Sequence, residues 1–310
     1  MSHTLSRPTE ILLEQPHVGT ARKIPWLNVL LFVVTCLSTL VVGTALMAGY
    51  DEKLASASNF LAAILRSPSM LLSGLPFSVA IMTILLAHEM GHYLTCRYYG
   101  ISATLPYFIP APTLVGTMGA FIRIRSPIHH RRALLDVGVA GPIAGFVLAV
   151  PTLVIALTLS RFAVPDPSQN TFGFGEPLIF KLVAMLMGKI PPPGMDIYIH
   201  PIGIAAWFGF FATALNLLPV GQLDGGHISY AIFGRLHKRI SQGFVLSLVP
   251  LGVFYWQGWL IWTMLLLFLG VRHPVTVDDS VPLHKRHYWL GWASLAMFVL
   301  CFTPMPFYIN

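Results

Sequence analysis

Charged side chains are scarce in this chain of 310 residues. Asp, Glu, Lys and Arg make up only 10% of it, whereas 55% of the residues are hydrophobic. A soluble chain of this length would expose far more charge. The low charge therefore argues against an ordinary soluble domain and predicts an integral membrane protein.

The chain also lacks a cysteine framework. Its three cysteines, Cys36, Cys96 and Cys301, lie far apart and form no CxxC pair. This spacing argues against a disulfide scaffold, and we expect the thiols to be structural and reduced. No basic helix or interleaved aromatic patch is present, so no nucleic-acid partner is expected. No stretch is long and polar enough to form a second soluble domain.

Long apolar runs are what the sequence does have. About 20 apolar residues are needed to cross about 30 Å of hydrocarbon. The WQG at 256–258 is either a tight turn between two runs or the middle of one tilted helix, and we favour the turn. The candidate crossings are 26–49, 69–96, 133–160, 200–220, 242–255, 257–271 and 287–306.

One segment between these runs does not have a helical pattern. Residues 100–132 contain several prolines and glycines between short alternating runs such as AFIRIR, which are typical of a hairpin. The predicted fold class is an all-α polytopic membrane protein with about six to seven transmembrane helices. It also has a small membrane-embedded β-hairpin or strand region after the second apolar run.

Basic residues indicate the orientation. With seven crossings and a cytosolic N-terminus, 14 of the 19 basic residues lie on the cytosolic side, as the positive-inside rule requires. We therefore predict a multi-pass integral membrane protein whose N-terminus faces the cytosol. The basic residues on the outer side are Lys53, Arg66, Arg161, Lys181 and Lys189.

These patterns divide the chain into four segments. We expect a polar cytosolic tail at 1–25, then an uncleaved first transmembrane helix and external loop at 26–66. A membrane core at 67–240 and C-terminal transmembrane helices at 241–310 follow. The predicted core consists of helix 69–96, hairpin 100–132, helix 133–160, an external loop at 161–199 with a short apolar helix near 177–188, and helix 200–220.

Two histidines and a glutamate interrupt the second apolar run, in the sequence LLAHEMGHYL at 85–94. Ionisable groups at bilayer depth cost about 2.5–3.5 kcal/mol each. On a helix, His88 and His92 lie on one face, while Glu89 is turned by about 100°. Zinc binds imidazole nitrogens, and a carboxylate that does not bind the metal then takes a proton from zinc-activated water. The alternative, a chance HExxH, leaves three buried polar groups without the partner that a cation provides.

A catalytic zinc site needs a third protein ligand. The stretch ALNLLPVGQLDGGHI at 214–228 offers Asp224, at the cytosolic end of its helix and at the same depth as His88. Pro219 and Gly221 break the helix before Asp224 and allow its carboxylate to turn inward. Asn216 is a candidate donor to an oxyanion or to a bound peptide. Taken alone, the segment is equally well a turn-forming Asp-Gly with a structural asparagine.

These two motifs carry a family resemblance. HEMGH together with NLLPVGQLDGG resembles the site-2 protease family of intramembrane zinc metalloproteases, and GVAGPIAGF at 138–146 and the hairpin resemble two further elements of that family. The resemblance covers about residues 69–235. It implies one Zn²⁺ per chain held by His88, His92 and Asp224, with Glu89 as general base and Asn216 as transition-state stabiliser.

The resemblance also implies the activity. A membrane-embedded zinc metalloendopeptidase would hydrolyse peptide bonds within or near transmembrane helices of membrane proteins, as in regulated intramembrane proteolysis, so the expected partners are a transmembrane-helix substrate and the lipid bilayer. We find no PDZ or CBS domain and therefore expect substrate selection inside the membrane. Gly116, Ile122 and Ile124 are predicted to bind substrate as an added strand. The alternative is a purely structural hairpin.

A different class of function remains open. The alternative is a zinc-binding membrane transporter or a non-proteolytic relative that binds helices. Transporters commonly show ion sites on paired broken helices and internal repeats, whereas this sequence has one concentrated site and no repeat. Glycines at 138, 141 and 145 predict close helix packing.

The remaining histidines are weaker candidates. His227 follows Asp224 closely enough to contact a ligand. His129 and His130 are interpreted as part of a solvated basic loop. The histidines interpreted as interfacial are His237, His273, His284 and His287.

Overall fold

The computed structural model describes residues 25–51, 60–164, 172–271, 273 and 276–309. The predicted tail at 1–25 lies outside these residues except for Pro25. Parts of the two predicted external loops, 52–59 and 165–171, also lie outside them.

Within the described part of the chain, three helical segments are long and apolar enough to cross a membrane. They are α1 (Trp26–Tyr50), the 3₁₀ turn Pro68–Gly74 with α3 (Leu75–Tyr98), and α4 (Arg131–Leu159). A short helix, α2 (Phe60–Arg66), precedes the turn. The bounds of these helices agree with the first three predicted apolar runs to within a few residues. At 1.5 Å per residue, α4 is about 44 Å long, enough to cross the hydrocarbon with some tilt.

The later helices are shorter. They are α5 (Leu178–Leu186), α6 (Pro201–Asn216), α7 (Asp224–Phe233), α8 (His237–Phe254), α9 (Gly258–Leu269) and α10 (Lys285–Cys301). The helix predicted at 200–220 ends four residues early, because the chain turns at 217–223. The break between α8 and α9 confirms the predicted turn near WQG. The predicted short helix near 177–188 is also confirmed, as α5.

Three two-stranded antiparallel sheets accompany the helices among the described residues. Strands β1 (Tyr107–Pro110) and β2 (Thr117–Phe121) form the predicted hairpin, with Phe108 opposite Ala120. The other two sheets were not predicted. They pair β3 (Arg161–Ala163) with β5 (Asp196–Tyr198), and β4 (Phe172–Phe174) with β6 (Phe307–Ile309).

Helix α4 is the centre of the packing. One buried cluster joins Ile84 of α3 and Leu153 of α4 to Phe210 of α6, and a second joins Leu135 of α4 to Ile228 of α7. Pro142 and Pro151 lie inside α4, where neighbouring helices allow proline in membrane helices. Since α3, α6 and α7 all pack on α4, the HExxH segment and the Asp224 segment are held against the same helix.

Candidate metal centre

Helix α3 presents the two histidines of the HExxH segment as the spacing predicts. His88 and His92 are 5% and 7% exposed, and their Nε2 atoms lie 3.2 Å apart. Two imidazole nitrogens one helical turn apart therefore meet at one point inside the protein.

Asp224 reaches the same point from the start of α7. Its Oδ2 lies 3.3 Å from His88 Nε2 and 3.2 Å from His92 Nε2. The chain can turn this tightly because Gly225 and Gly226 carry no side chain. A Cβ on Gly225 would lie 2.0 Å from the Leu217 carbonyl oxygen, and one on Gly226 would lie 2.3 Å from that of Gly221.

The three atoms fit a zinc ion. Ligands about 2.0–2.1 Å from a tetrahedral zinc ion stand about 3.3–3.4 Å from one another, close to the three distances observed. Asp224 Oδ2 is buried without a hydrogen-bond partner, and buried polar atoms rarely lack one. Among the described residues, His88, His92 and Asp224 form the one group of three or more suitable side chains that could hold a metal.

Helix α4 orients one of these imidazoles. His92 Nδ1 lies 2.7 Å from the carbonyl oxygen of Val137 and donates to it, so that in the neutral imidazole the lone pair of Nε2 is directed at Asp224. A lone pair facing a carboxylate oxygen is repulsive unless a cation lies between them. A backbone acceptor on the outer nitrogen is the usual support of a metal-binding histidine.

Two glycines of α4 leave space for the imidazoles. A Cβ on Gly141 would lie 2.1 Å from His92 Nε2, and a Cβ on Gly145 would lie 3.2 Å from His88 Nδ1. The sequence pattern predicts only close helix packing for these glycines. The packing is observed, since a Cβ on Gly91 of α3 would lie 2.5 Å from the Ala140 carbonyl oxygen. The direct contact of the glycines with the imidazoles was missed.

Glu89 and Asn216 flank the three atoms. Glu89 is 6% exposed, and the backbone N–H of Ile122 donates to its carboxylate. Asn216, the last residue of α6, places its amide nitrogen 3.1 Å from His88 Nε2. Both predicted catalytic residues therefore lie beside the ligand cluster without belonging to it.

The three residues predicted to bind substrate differ in their surroundings. Gly116 is buried against α1, where its carbonyl oxygen accepts a 2.6 Å hydrogen bond from the Ser38 hydroxyl. Ile122 adjoins Glu89. Ile124 pairs with Ala103 in an isolated antiparallel bridge. Substrate binding at all three positions stays a prediction, and the structure gives Gly116 an additional packing role.

The interfacial interpretation is wrong for two histidines. His237 is 2% exposed, with a ring nitrogen 2.6 Å from the Ser229 hydroxyl, and His287 is fully buried. Their sequence neighbours are basic, but the phase of their helices turns both rings inward. His227 was a candidate for contact with a ligand; its Nδ1 lies 2.6 Å from His273 Nε2.

The loop histidine His130 also has a structural role. Its side chain accepts a 3.1 Å hydrogen bond from the Ala133 amide and caps α4. The sequence interpretation of a solvated loop did not identify this cap.

Comparisons with known proteins agree with this geometry. Residues 76–255 match the family described as Peptidase family M50. The chain is 31% identical over 241 residues to a probable zinc metalloprotease EGY2, chloroplastic, of Arabidopsis thaliana, covering 77% of this chain and 43% of that protein. It is 35% identical over 169 residues to a probable zinc metalloprotease EGY1, chloroplastic, of the same plant, covering 53% and 30%.

A third relative is more distant. The chain is 27% identical over 256 residues to a probable zinc metalloprotease EGY3, chloroplastic, of Oryza sativa subsp. indica, covering 75% and 42%. The chain thus spans less than half the length of these relatives. Their names and the donor set of the cluster agree on zinc as the cofactor. Because the family match covers more than half of the chain, this membrane protein belongs to Peptidase family M50, the site-2 protease family.

Proposed function

We propose that the chain is a membrane-embedded zinc metalloendopeptidase that hydrolyses peptide bonds within or near transmembrane helices of other proteins. The observation that carries the proposal is the meeting of His88, His92 and Asp224 within 3.3 Å, with Glu89 beside them. We assign the three residues as zinc ligands. Two helices hold the ligands, so the site forms only when α3 and α7 are both packed on α4.

The residues around the ligands support roles in hydrolysis. A zinc ion bound there supplies Lewis-acid chemistry, since it lowers the pKa of water and polarises a carbonyl group. As general base, Glu89 would take a proton from this water, and the Ile122 amide keeps the Glu89 carboxylate in place. Asn216 is positioned to donate to a developing oxyanion, because its amide nitrogen already lies against a ligand.

The transporter alternative receives less support. Ion-coupled transporters typically bind ions at broken helices related by a repeat. The described residues contain a single group of three side chains that could hold a metal, and the Glu89 carboxylate beside it is suited to proton transfer. A helix-binding relative without proteolysis would need no such carboxylate.

We further propose six to seven crossings, with α6, the pair α8 and α9, and α10 added to the three long helices. The core at 67–240 would then hold the site, with the N-terminus and the site toward the cytosol. The positive-inside rule supports this orientation. A cysteine placed at Arg235 should react with a membrane-impermeant thiol reagent from the cytosolic side, and one at Lys189 from the other side; the reverse would contradict it.

The outer edge of the hairpin segment is suited to an unwound substrate. The amides of Thr104 and Arg125 bond across the bridge to the carbonyls of Arg123 and Ser102. This pattern turns the amides of Ile122 and Ile124 to the opposite edge, and Ile122 meets Glu89 there. A substrate must expose backbone that its own helix hydrogen bonds seal. A substrate added as a strand at this edge would pass next to the general base.

Replacing Ile124 with proline tests the added strand. Proline removes the outward amide at an edge position, and we expect kcat/KM for a transmembrane substrate to fall about tenfold or more, with unchanged zinc content. The matched control is Ile124→Val, which keeps the amide and should cleave normally. Equal cleavage by both variants would refute strand addition. The effect of Ile122→Pro would be harder to interpret, because the Ile122 amide also donates a hydrogen bond to Glu89.

Removal of zinc tests the activity itself. The chain reconstituted in vesicles with a single-span test substrate should cleave it. A chelator should abolish the cleavage, and added Zn²⁺ should restore it. Cleavage that survives complete metal removal would contradict the proposal, as would no cleavage of any helix substrate by the zinc-loaded chain.

A further inference from the structure

A second concave site lies between helices α3, α4 and α10. Its volume is about 450 Å³, and none of the proposed zinc ligands lines it. Helix α3 and the residue after it contribute positions from Leu94 to Tyr99, α4 those from Asp136 to Ile143, and α10 contributes Arg286 and Leu290. The proposed protease chemistry uses none of the cavity's lining residues.

Polar and apolar residues occupy opposite ends of the cavity. On α4, Asp136 and Ile143 are seven residues apart, which is about 10 Å along the axis. On α10 the polar Arg286 stands one turn from Leu290, and on α3 Tyr98 stands one turn from Leu94. Each helix therefore places its polar residue at the same end, since α3 ends there while α4 and α10 begin there. Such a cavity matches a molecule with one charged end and one hydrocarbon end.

The polar end offers a positive charge. The Arg286 side chain is 65% exposed, and among the described residues it forms a 3.4 Å ion pair of Nη2 with Asp136 Oδ2. A guanidinium group has five N–H donors, so one ion pair leaves donors for a second anion. Asp136 meanwhile accepts a 2.5 Å hydrogen bond from the Tyr99 hydroxyl, and its Oδ1 lies 3.6 Å from Nε2 of the buried His287 ring on α10.

The positive charges at the polar end therefore favour a ligand with an anionic group. Asp136 is held by groups on α3 and α10, and Lys285 and Arg97 add positive charge near the same helix ends. Tyr98 is 83% exposed at this end, as is typical of tyrosine at the level of lipid headgroups. Basic pockets between membrane helices bind anionic headgroups.

We propose that this cavity binds one anionic phospholipid from the bilayer. Its phosphate lies on Arg286, and one acyl chain packs along Leu94, Ile143 and Leu290. The lipid would bridge α3, α4 and α10. The proposal rests on the membrane location of the chain and does not depend on proteolysis.

Lipid retention tests this proposal. The full chain is reconstituted in vesicles of equal parts phosphatidylglycerol and phosphatidylcholine, extracted in mild detergent, and its retained lipids are counted by native mass spectrometry. We expect about one phosphatidylglycerol per chain, retained about fivefold or more over phosphatidylcholine, the preference that one basic residue near the headgroups supplies. Arg286→Gln should remove the preference, and Arg286→Lys should keep part of it.

Two further variants make the result decisive. Arg239→Gln changes an exposed arginine of α8 outside the cavity and should keep the full preference. Ile143→Trp should fill the apolar end and reduce retention of both lipids. Zinc content near one per chain shows that each variant is folded. Equal retention of the two lipids by the unmodified chain, or an unchanged preference in Arg286→Gln, would overturn the proposal.

Discussion

Replacing Glu89 with glutamine is expected to lower the rate of substrate cleavage by about 10²–10⁴-fold, the usual contribution of a general base. Glutamine has nearly the same shape, and its carbonyl oxygen can still accept the hydrogen bond from Ile122. Because Glu89 is not one of the three proposed ligand residues, zinc should remain near one per chain. Cleavage of a reconstituted transmembrane substrate and metal analysis of the same sample measure both effects.

The matched control is Glu176→Gln. Glu176 is the other glutamate among the described residues, and it forms an exposed ion pair with Lys181, a kind of pair that contributes little. This variant should cleave normally. If Glu89→Gln also cleaved at the normal rate, Glu89 would not be the base. If it lost zinc, Glu89 would be part of the metal site.

Replacing Gly141 with alanine is expected to damage the site without changing any ligand. The added methyl group would lie 2.1 Å from His92 Nε2, so either the imidazole or α4 must move. Since His92 is also held by Val137, we expect the imidazole to lose its position. Loss of a supporting contact around a metal commonly costs about 10–100-fold in affinity, and a collision with the ligand atom should cost at least that much. Competition with a zinc chelator measures the change.

Gly243→Ala is the control for this prediction. Gly243 lies within α8 and has open space where its Cβ would be, and alanine is favoured over glycine in a helix. Zinc affinity and cleavage should stay unchanged. Normal zinc affinity in Gly141→Ala would mean that α3 and α4 separate readily, contrary to the packing described.

The HExxH half of the site could be predicted from the sequence alone. Helical periodicity is a local property. Because His88 and His92 are four residues apart, they lie on the same face of α3 whatever the helix packs against. Asp224 depended more on the family resemblance, because nothing in the spacing of one segment tells which distant segment meets it. The contact of Gly141 with His92 was missed for the same reason. Glycine in a helix indicates close packing, but the sequence does not show which side chain or helix packs against it.

The long helices could be predicted more reliably than the segments that join them. Hydropathy locates α1, α3 and α4, since each needs a continuous apolar run. It does not reveal that β6, at the end of the described chain, pairs with β4, because two three-residue strands far apart carry no common pattern. Burial of His237 and His287 also escaped prediction, since adjacent basic residues suggested an interface while the helix phase points both rings inward.

Zinc content of the unmodified chain and of Asp224→Ala is the most direct test of a metal held jointly by α3 and α7. Asp196→Ala, which removes an exposed aspartate of β5, is the control. We predict about one zinc ion per chain in the unmodified protein and the control, and far less in Asp224→Ala under the same dialysis. Full zinc in a folded Asp224→Ala, or no stoichiometric zinc in the unmodified chain, would contradict the account.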